Sequence, residues 1–139
     1  MIGVGVDIVQ ISSFKQQLDD PASVFTNKTF TPLEIQYSQN HVSKRPEQHL
    51  SARFAAKEAF VKAWSSLYRF RPPIVLHPDL QEIEICNDRY GRPYIELHGQ
   101  VKEVCAKYSM QLSLSHDGDY ALAQVILQER SGDNRETEL

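Results

Sequence analysis

The chain has 139 residues, 41% of them hydrophobic and 24% charged, with a formal net charge of −3. That suits one domain with its own core, and the negative balance excludes bulk nucleic-acid binding. Two distant cysteines, Cys86 and Cys105, exclude a disulfide framework or a CxxC metal site and read as free thiols of a reducing, cytoplasmic setting. No stretch has the pattern of a signal peptide or a membrane span.

The chain opens on "IGVGVDIV", a strand by strict alternation. Ile2, Val4, Val6 and Ile8 share one face, and Gly3, Gly5 and Asp7 share the other. Glycine weakens a strand, so two on one face predict an element packed closely there. Gln10 to Gln39 reads as helical in at least two pieces, broken at Asp19–Pro21. The second piece has an N-terminal signature, with Thr31 at the N-cap, Pro32 at N1 and Glu34 reaching back from N3. "NHVSKRPEQ" reads as a polar loop, and the longest helix is predicted from His49 to about Tyr68. "LQEIEIC" and "PYIEL" read as strands joined by the turn "NDRYGR", followed by a short helix in "GQVKEVCAKY". "QLSLS" and "YALAQVIL" read as strands around "HDGD", with His116 opening the turn. The fold class is therefore α+β: a single domain over residues 1–128, an antiparallel sheet packed around a long central helix. A charged tail over residues 129–139 is expected to be disordered.

The central helix "RFAAKEAFVKAW" carries charge where it should be apolar. With about 100° per residue, Leu50, Phe54, Val61 and Tyr68 make a stripe, and Ala55, Ala56, Ala59 and Ala63 make an opposite face small enough for close packing. Lys57 falls inside the stripe and Glu58 on its other edge, one turn before Lys62. Two bland readings stand beside a functional one. Glu58 and Lys62 have the spacing of a surface ion pair, and Lys57 can snorkel outward along its stem. The functional reading needs partners, because a buried unpaired charge is costly.

Asp7 is the natural partner for Glu58. Two carboxylates without histidine or cysteine suit Mg²⁺, which takes few protein oxygens and completes its shell with water and phosphate. Arg53, Lys57 and Lys62 then read as phosphate contacts. They belong to a basic stretch from Lys44 to Arg71, seven cations against two anions, that could attract a small polyanion. Ser115, His116 and Asp117 do not make a hydrolase triad, since consecutive residues do not meet in that geometry; a neighbouring phosphate could instead recruit His116.

Three blocks in this order, "GVGVDIV", "RFAAKEAFVKAW" and "LSLSHDGDYALA", with the hairpin "NDRYGRPYIEL" between the second and third, resemble the holo-acyl-carrier-protein synthases. These are 4′-phosphopantetheinyl transferases of the short bacterial type. The resemblance covers about the first 128 residues. It implies transfer of the phosphopantetheine arm of coenzyme A to a serine of an apo acyl carrier protein or carrier domain, releasing adenosine 3′,5′-bisphosphate. It implies Mg²⁺ on Asp7 and Glu58, and coenzyme A phosphates near Arg53, Lys57 and Lys62. His116 would lie close to the nucleotide, and Lys62 would steady the leaving phosphate. It also implies a homotrimer with active sites between subunits. The resemblance leaves open which carboxylate helps deprotonate the serine. A non-catalytic nucleotide-binding module of the same fold would be expected to lack Asp7 or Glu58. A pyrophosphatase would show denser carboxylates.

Two departures stand out. Where many members of that family have a glycine-rich segment after the helix, this chain has "WSSLYRF", so Ser65 or Ser66 are the candidates to replace those backbone contacts. The longer segment "KAWSSLYRFRPPIVLHPDL" resembles actinobacterial members, some of which serve carrier domains of type I fatty acid synthases. The first helix offers only Lys15 where members that dock acidic carriers often have several arginines.

Overall fold

The computed structural model describes residues 1–40, 45–73, 75 and 77–130. In chain order the elements are β1 (Ile2–Gln10), α1 (Ile11–Asp19), α2 (Phe25–Thr29), α3 (Pro32–Asn40), α4 (Pro46–Ser66), β2 (Ile83–Asn87), β3 (Pro93–Leu97), α5 (Gly99–Cys105), β4 (Tyr108–Asp117) and β5 (Tyr120–Glu129). Strands β1, β5 and β4 form one antiparallel sheet with β5 in the centre, and β2 and β3 form a separate hairpin. This is the α+β fold expected, with α4 as the central helix.

The glycine face of β1 lies against α4. A Cβ on Gly5 would land on the carbonyl oxygen of Ala59 and 2.5 Å from the nitrogen of Ala63. Ala55, Ala56, Ala59 and Ala63 are fully buried against the sheet, whose facing residues Ala121, Ala123, Val125 and Leu127 are buried too. Small residues on both sides let the two backbones approach, which is what two glycines on one strand face predict. The opposite face of the sheet is open. Ile2, Val4, Val6 and Ile8 are 50–63% exposed, and Tyr120, Leu122 and Ile126 on β5 stand beside them.

Helix α4 starts at Pro46, not His49, because proline suits the first helical turn. Residues 41–44 of the predicted loop, Lys44 among them, and residues 131–139 of the predicted tail lie outside the described residues. Strand β5 continues to Glu129, past the expected strand end at Leu127. Strand β4 also runs further than predicted: His116 and Asp117 are paired with Ala121 and Tyr120, and the turn is Gly118 and Asp119. That turn does a second task. Asp119 accepts hydrogen bonds from the Ser12 amide (3.0 Å) and hydroxyl (2.5 Å), so it supplies the first turn of α1 with the cap that Gln10 does not provide. Leu80–Glu82 is a short 3₁₀ turn rather than the start of a strand, capped by Asp79, which accepts from the Gln81 amide at 3.0 Å.

The capping box of α3 is formed as predicted. Thr31 donates its amide to Glu34 Oε1 at 2.8 Å, and its hydroxyl oxygen accepts from the Glu34 amide at 3.2 Å. The Thr31 hydroxyl also donates to Glu84 Oε2 at 2.6 Å, while His98 Nε2 lies 2.9 Å from Glu84 Oε1. Burial alone would raise the Glu84 pKa, but these bonds outweigh it and hold the carboxyl below its usual range. A folded-state pKa below the unfolded one contributes stability above the ordinary carboxylate pKa, and that contribution is lost as the pH falls through the lowered value. Thr31→Val removes one donor. It is therefore expected to lower the melting temperature near neutral pH and to flatten the loss of stability in acid, as measured by thermal denaturation between pH 3 and 7.

Candidate active site

The predicted site residues divide into three groups. Asp7, on the inward face of β1, and Glu58, on α4, line one open groove of about 420 Å³ with Gln10, Ser13, Gln17 and Phe54. The Glu58 pKa is raised, first by partial burial and then by the charge of Asp7, with Lys62 acting against both. Lys62 Nζ lies 3.0 Å from Asp7 Oδ1 and donates to the Val6 carbonyl at 3.1 Å. So the ion pair of Lys62 runs across to the strand. With Lys62 55% and Asp7 17% exposed, it borders solvent.

This corner fits a divalent cation. The donors are all oxygens, Asp7 stands close enough to disfavour the charge of Glu58, and a cation, the Lys62 ammonium, is already accepted between Asp7 and a carbonyl. Among the described residues there is no cluster of three or more histidine, cysteine or carboxylate groups that could hold a metal. A two-carboxylate seat must take its remaining oxygens from water or substrate, as Mg²⁺ usually does.

Arg53 and His116 line a second cavity, of about 390 Å³, with Tyr37, His49, Asn87 and Ser115 among its walls. Arg53 is buried, its guanidinium lies 4.4 Å from the centre of the Tyr37 ring, and its Nη2 donates to Asn87 Oδ1. Its Nε has no partner among the described residues. Burial lowers the Arg53 pKa, with Tyr37 and Glu34 opposing. Asn87, read from sequence only as a turn residue, is held by its own bond to the Gly91 carbonyl at 3.0 Å. Gly91 has φ +83°, the left-handed conformation that this turn needs. Neither Asp7, Glu58 nor Lys62 lines this cavity. Arg53 and Glu58 are five residues apart on α4, hence about 140° apart around its axis. One chain therefore presents its carboxylates and its buried arginine in different directions.

Lys57 belongs to neither group, which corrects its reading as a phosphate contact. Its side chain and that of Glu34 are both 0% exposed, with Nζ 3.0 Å from Glu34 Oε1. It also donates to the carbonyls of Leu80 and Ile83, each at 2.7 Å. An ammonium has three N–H donors, and all three are used. Burial lowers the Lys57 pKa, with Glu34 opposing. The basic stretch of the sequence is therefore no single patch, since Arg53 and Lys57 are buried while Arg45, Lys62, Arg69 and Arg71 are exposed. Ser66 is also committed: its hydroxyl donates to Ala63 O at 2.7 Å and accepts from the Val4 amide at 3.3 Å. Of the two serines, Ser65 is the exposed one.

Comparison with known proteins gives the family. A family model, the 4′-phosphopantetheinyl transferase superfamily, matches residues 3–125, and the chain belongs to that family. Within it, the chain is 43% identical over 129 residues to the holo-[acyl-carrier-protein] synthase of Mycobacterium tuberculosis, covering 92% of this chain and 97% of the relative. It is 41% identical over 133 residues to that of Corynebacterium efficiens, covering 91% and 94%. Among solved structures, an ACPS–CoA complex from Chronobacterium ammoniagenes superposes with a TM-score of 0.85 at 39% identity, covering 94% of this chain and 99% of the other. The Mycobacterium tuberculosis acyl carrier protein synthase gives 0.72 at 39% identity, covering 92% and 97%. These relatives are actinobacterial, in keeping with the resemblance carried by "KAWSSLYRFRPPIVLHPDL".

Proposed function

We propose that this chain is a holo-[acyl-carrier-protein] synthase. It moves the 4′-phosphopantetheine arm of coenzyme A to a serine of an apo acyl carrier protein, free or as a domain of a type I fatty acid synthase, and releases adenosine 3′,5′-bisphosphate. The reading is carried by the convergence of Asp7, Glu58 and Lys62 on one solvent-open corner in a chain of this family. The names of its relatives and the coenzyme A in a solved neighbour support it. The setting proposed is the cytoplasm, in keeping with the free thiols Cys86 and Cys105.

Asp7 and Glu58 would hold Mg²⁺, which when bound neutralises the diphosphate and makes its phosphorus more electrophilic. The serine oxygen forms a bond to the phosphorus bearing the pantetheine arm, and the bond from that phosphorus to the bridging oxygen breaks. Positioning and charge neutralisation supply most of the rate in such transfers. Glu58 lines the open groove and carries no ion pair among the described residues, so it is placed to take the serine proton. Lys62, exposed at the rim of the corner, would leave Asp7 to the metal and swing to the leaving phosphate.

The nucleotide would lie in the cavity of Arg53 and His116, where a buried guanidinium and a histidine suit the phosphates of coenzyme A. That cavity faces away from the carboxylate corner of the same chain, so the complete site needs a second copy. The open apolar face of β1 and β5 supports such an assembly, which we take to be a homotrimer. Val4→Lys places a charge in the middle of that face. It is expected to shift the mass in sedimentation equilibrium from three chains toward one and to lower the transfer rate at least about tenfold, with little change in helix content.

The test of the function is direct. Apo carrier is incubated with the chain, coenzyme A and Mg²⁺, and the carrier is weighed by mass spectrometry. A gain of one phosphopantetheine on the carrier is expected. No gain on any carrier tried, type I synthase domains included, would refute the reading.

A further inference from the structure

The buried pair of Lys57 and Glu34 lines neither half of the site, yet Lys57 lies between Arg53 and Glu58 on α4. Replacing a buried ion pair with apolar side chains is often neutral or stabilising, so tight burial alone does not explain why a charge sits there. What a charge pair supplies and leucine does not is direction. Lys57 Nζ is fixed by three acceptors: Glu34 Oε1 at 3.0 Å, Leu80 O at 2.7 Å and Ile83 O at 2.7 Å. Glu34 is fixed in turn by the Thr31 amide on Oε1 and the Ile85 amide on Oε2, both at 2.8 Å. Helix α4 is thus tied through one side chain to the start of α3, the 3₁₀ turn and strand β2.

On its other side, α4 meets β1 through Gly3, Gly5, Ala59 and Ala63. The backbone contact fixes distance; the directional bonds across it, from Lys62 to Asp7 and the Val6 carbonyl and from the Val4 amide to Ser66, lie at the solvent edge, whereas those of Lys57 are buried. Rotation matters here. A helix with side chains is about 5–6 Å in radius, so a turn of about 10° moves a carboxylate at its rim by about 1 Å. Misplacement on that scale costs up to about a hundredfold in a positioned reaction.

We propose that Lys57 and Glu34 are positioning residues: their directional bonds set the rotation of α4, so that Glu58, the next residue along, faces Asp7. The inference rests on the reading of Asp7 and Glu58 as a metal pair. Its test is built so that stability and positioning move apart. Glu34→Gln keeps an oxygen for Lys57 and Thr31 but removes the charge and the acceptor for Ile85. It should melt at a lower temperature and keep the wild-type affinity for Mg²⁺, measured by calorimetric titration in the presence of coenzyme A. Glu34→Gln/Lys57→Met removes both charges and the directional bonds. It should regain much of the lost melting temperature, because neither charge is left unpaired. Yet its Mg²⁺ dissociation constant should rise about tenfold or more, and kcat should fall by a similar factor with KM for the carrier unchanged. A double variant with wild-type metal affinity, or metal affinity that tracks melting temperature across the series, overturns the inference. A wild-type chain that takes up no Mg²⁺ overturns the metal reading first and this inference with it.

Discussion

Glu58→Gln is expected to lower kcat/KM for phosphopantetheine transfer about a thousandfold while leaving the melting temperature within a few degrees of wild type. A bound metal supplies several kcal/mol of charge stabilisation at a diphosphate, and each 1.36 kcal/mol is tenfold in rate. Glutamine keeps one carbonyl oxygen, so some metal binding survives, but the second negative charge and the proton acceptor are both lost. The fold should tolerate the change. Glu58 is only half-buried and borders an open groove, and its charge is disfavoured there by burial and by Asp7. Removing it relieves that repulsion. Initial rates of carrier modification and a thermal melt on the same sample give the two readouts. A rate within tenfold of wild type would remove Glu58 from the chemistry.

The second large effect is on stability. Gly5→Ala puts a Cβ on the carbonyl oxygen of Ala59 and 2.5 Å from the Ala63 nitrogen, and both are backbone atoms of a helix that cannot step aside alone. Strand β1 must move off α4. Overpacking of this kind costs about 3 kcal/mol, or more where backbone blocks backbone. For a chain of this size that is a fall in melting temperature of about 10 °C. Gly91→Ala is the control for glycine substitution itself, because its φ of +83° disfavours alanine but nothing lies within 4 Å of its Cβ. It should lower the melting temperature by less. Because the strand that moves carries Asp7, Gly5→Ala should also weaken Mg²⁺ binding in whatever fraction folds.

The carboxylate corner was legible in the sequence for a local reason. Strict alternation puts Asp7 on the glycine face, the glycines announce a close neighbour, and the alanines of the central helix announce a surface able to be that neighbour. Two periodic patterns with matching small faces bring Asp7 and Glu58 together without any knowledge of the loops. Lys57 was not legible in that way. Its partners are a glutamate at the start of α3 and two carbonyls reached only once the 3₁₀ turn has folded over α4. The capping box of Glu34 was visible, but the same carboxylate's second task was not. A lysine inside an apolar stripe reads as a candidate contact until the chain that covers it is known.

The division of the site was partly legible. The angle between Arg53 and Glu58 follows from their spacing on a helix, and it already says that they face apart. What the helix alone could not say was which cavity each would enter, because that depends on Asn87 and Tyr37 from distant elements. Helix and strand limits shifted where local signals compete. Pro46 lies in a polar stretch and reads as loop, yet it opens α4. His116 precedes the turn sequence and reads as its first residue, yet pairing with Ala121 keeps it in β4.

Everything rests on Asp7 and Glu58 gripping one divalent ion from two elements distant in the chain. The most direct measurement is a calorimetric Mg²⁺ titration of the wild-type chain and of Asp7→Asn in the presence of coenzyme A. The wild type should take up one ion per chain, and Asp7→Asn should bind it about tenfold or more weakly, since a neutral amide replaces a charged ligand. Equal affinity in the two proteins would contradict the account.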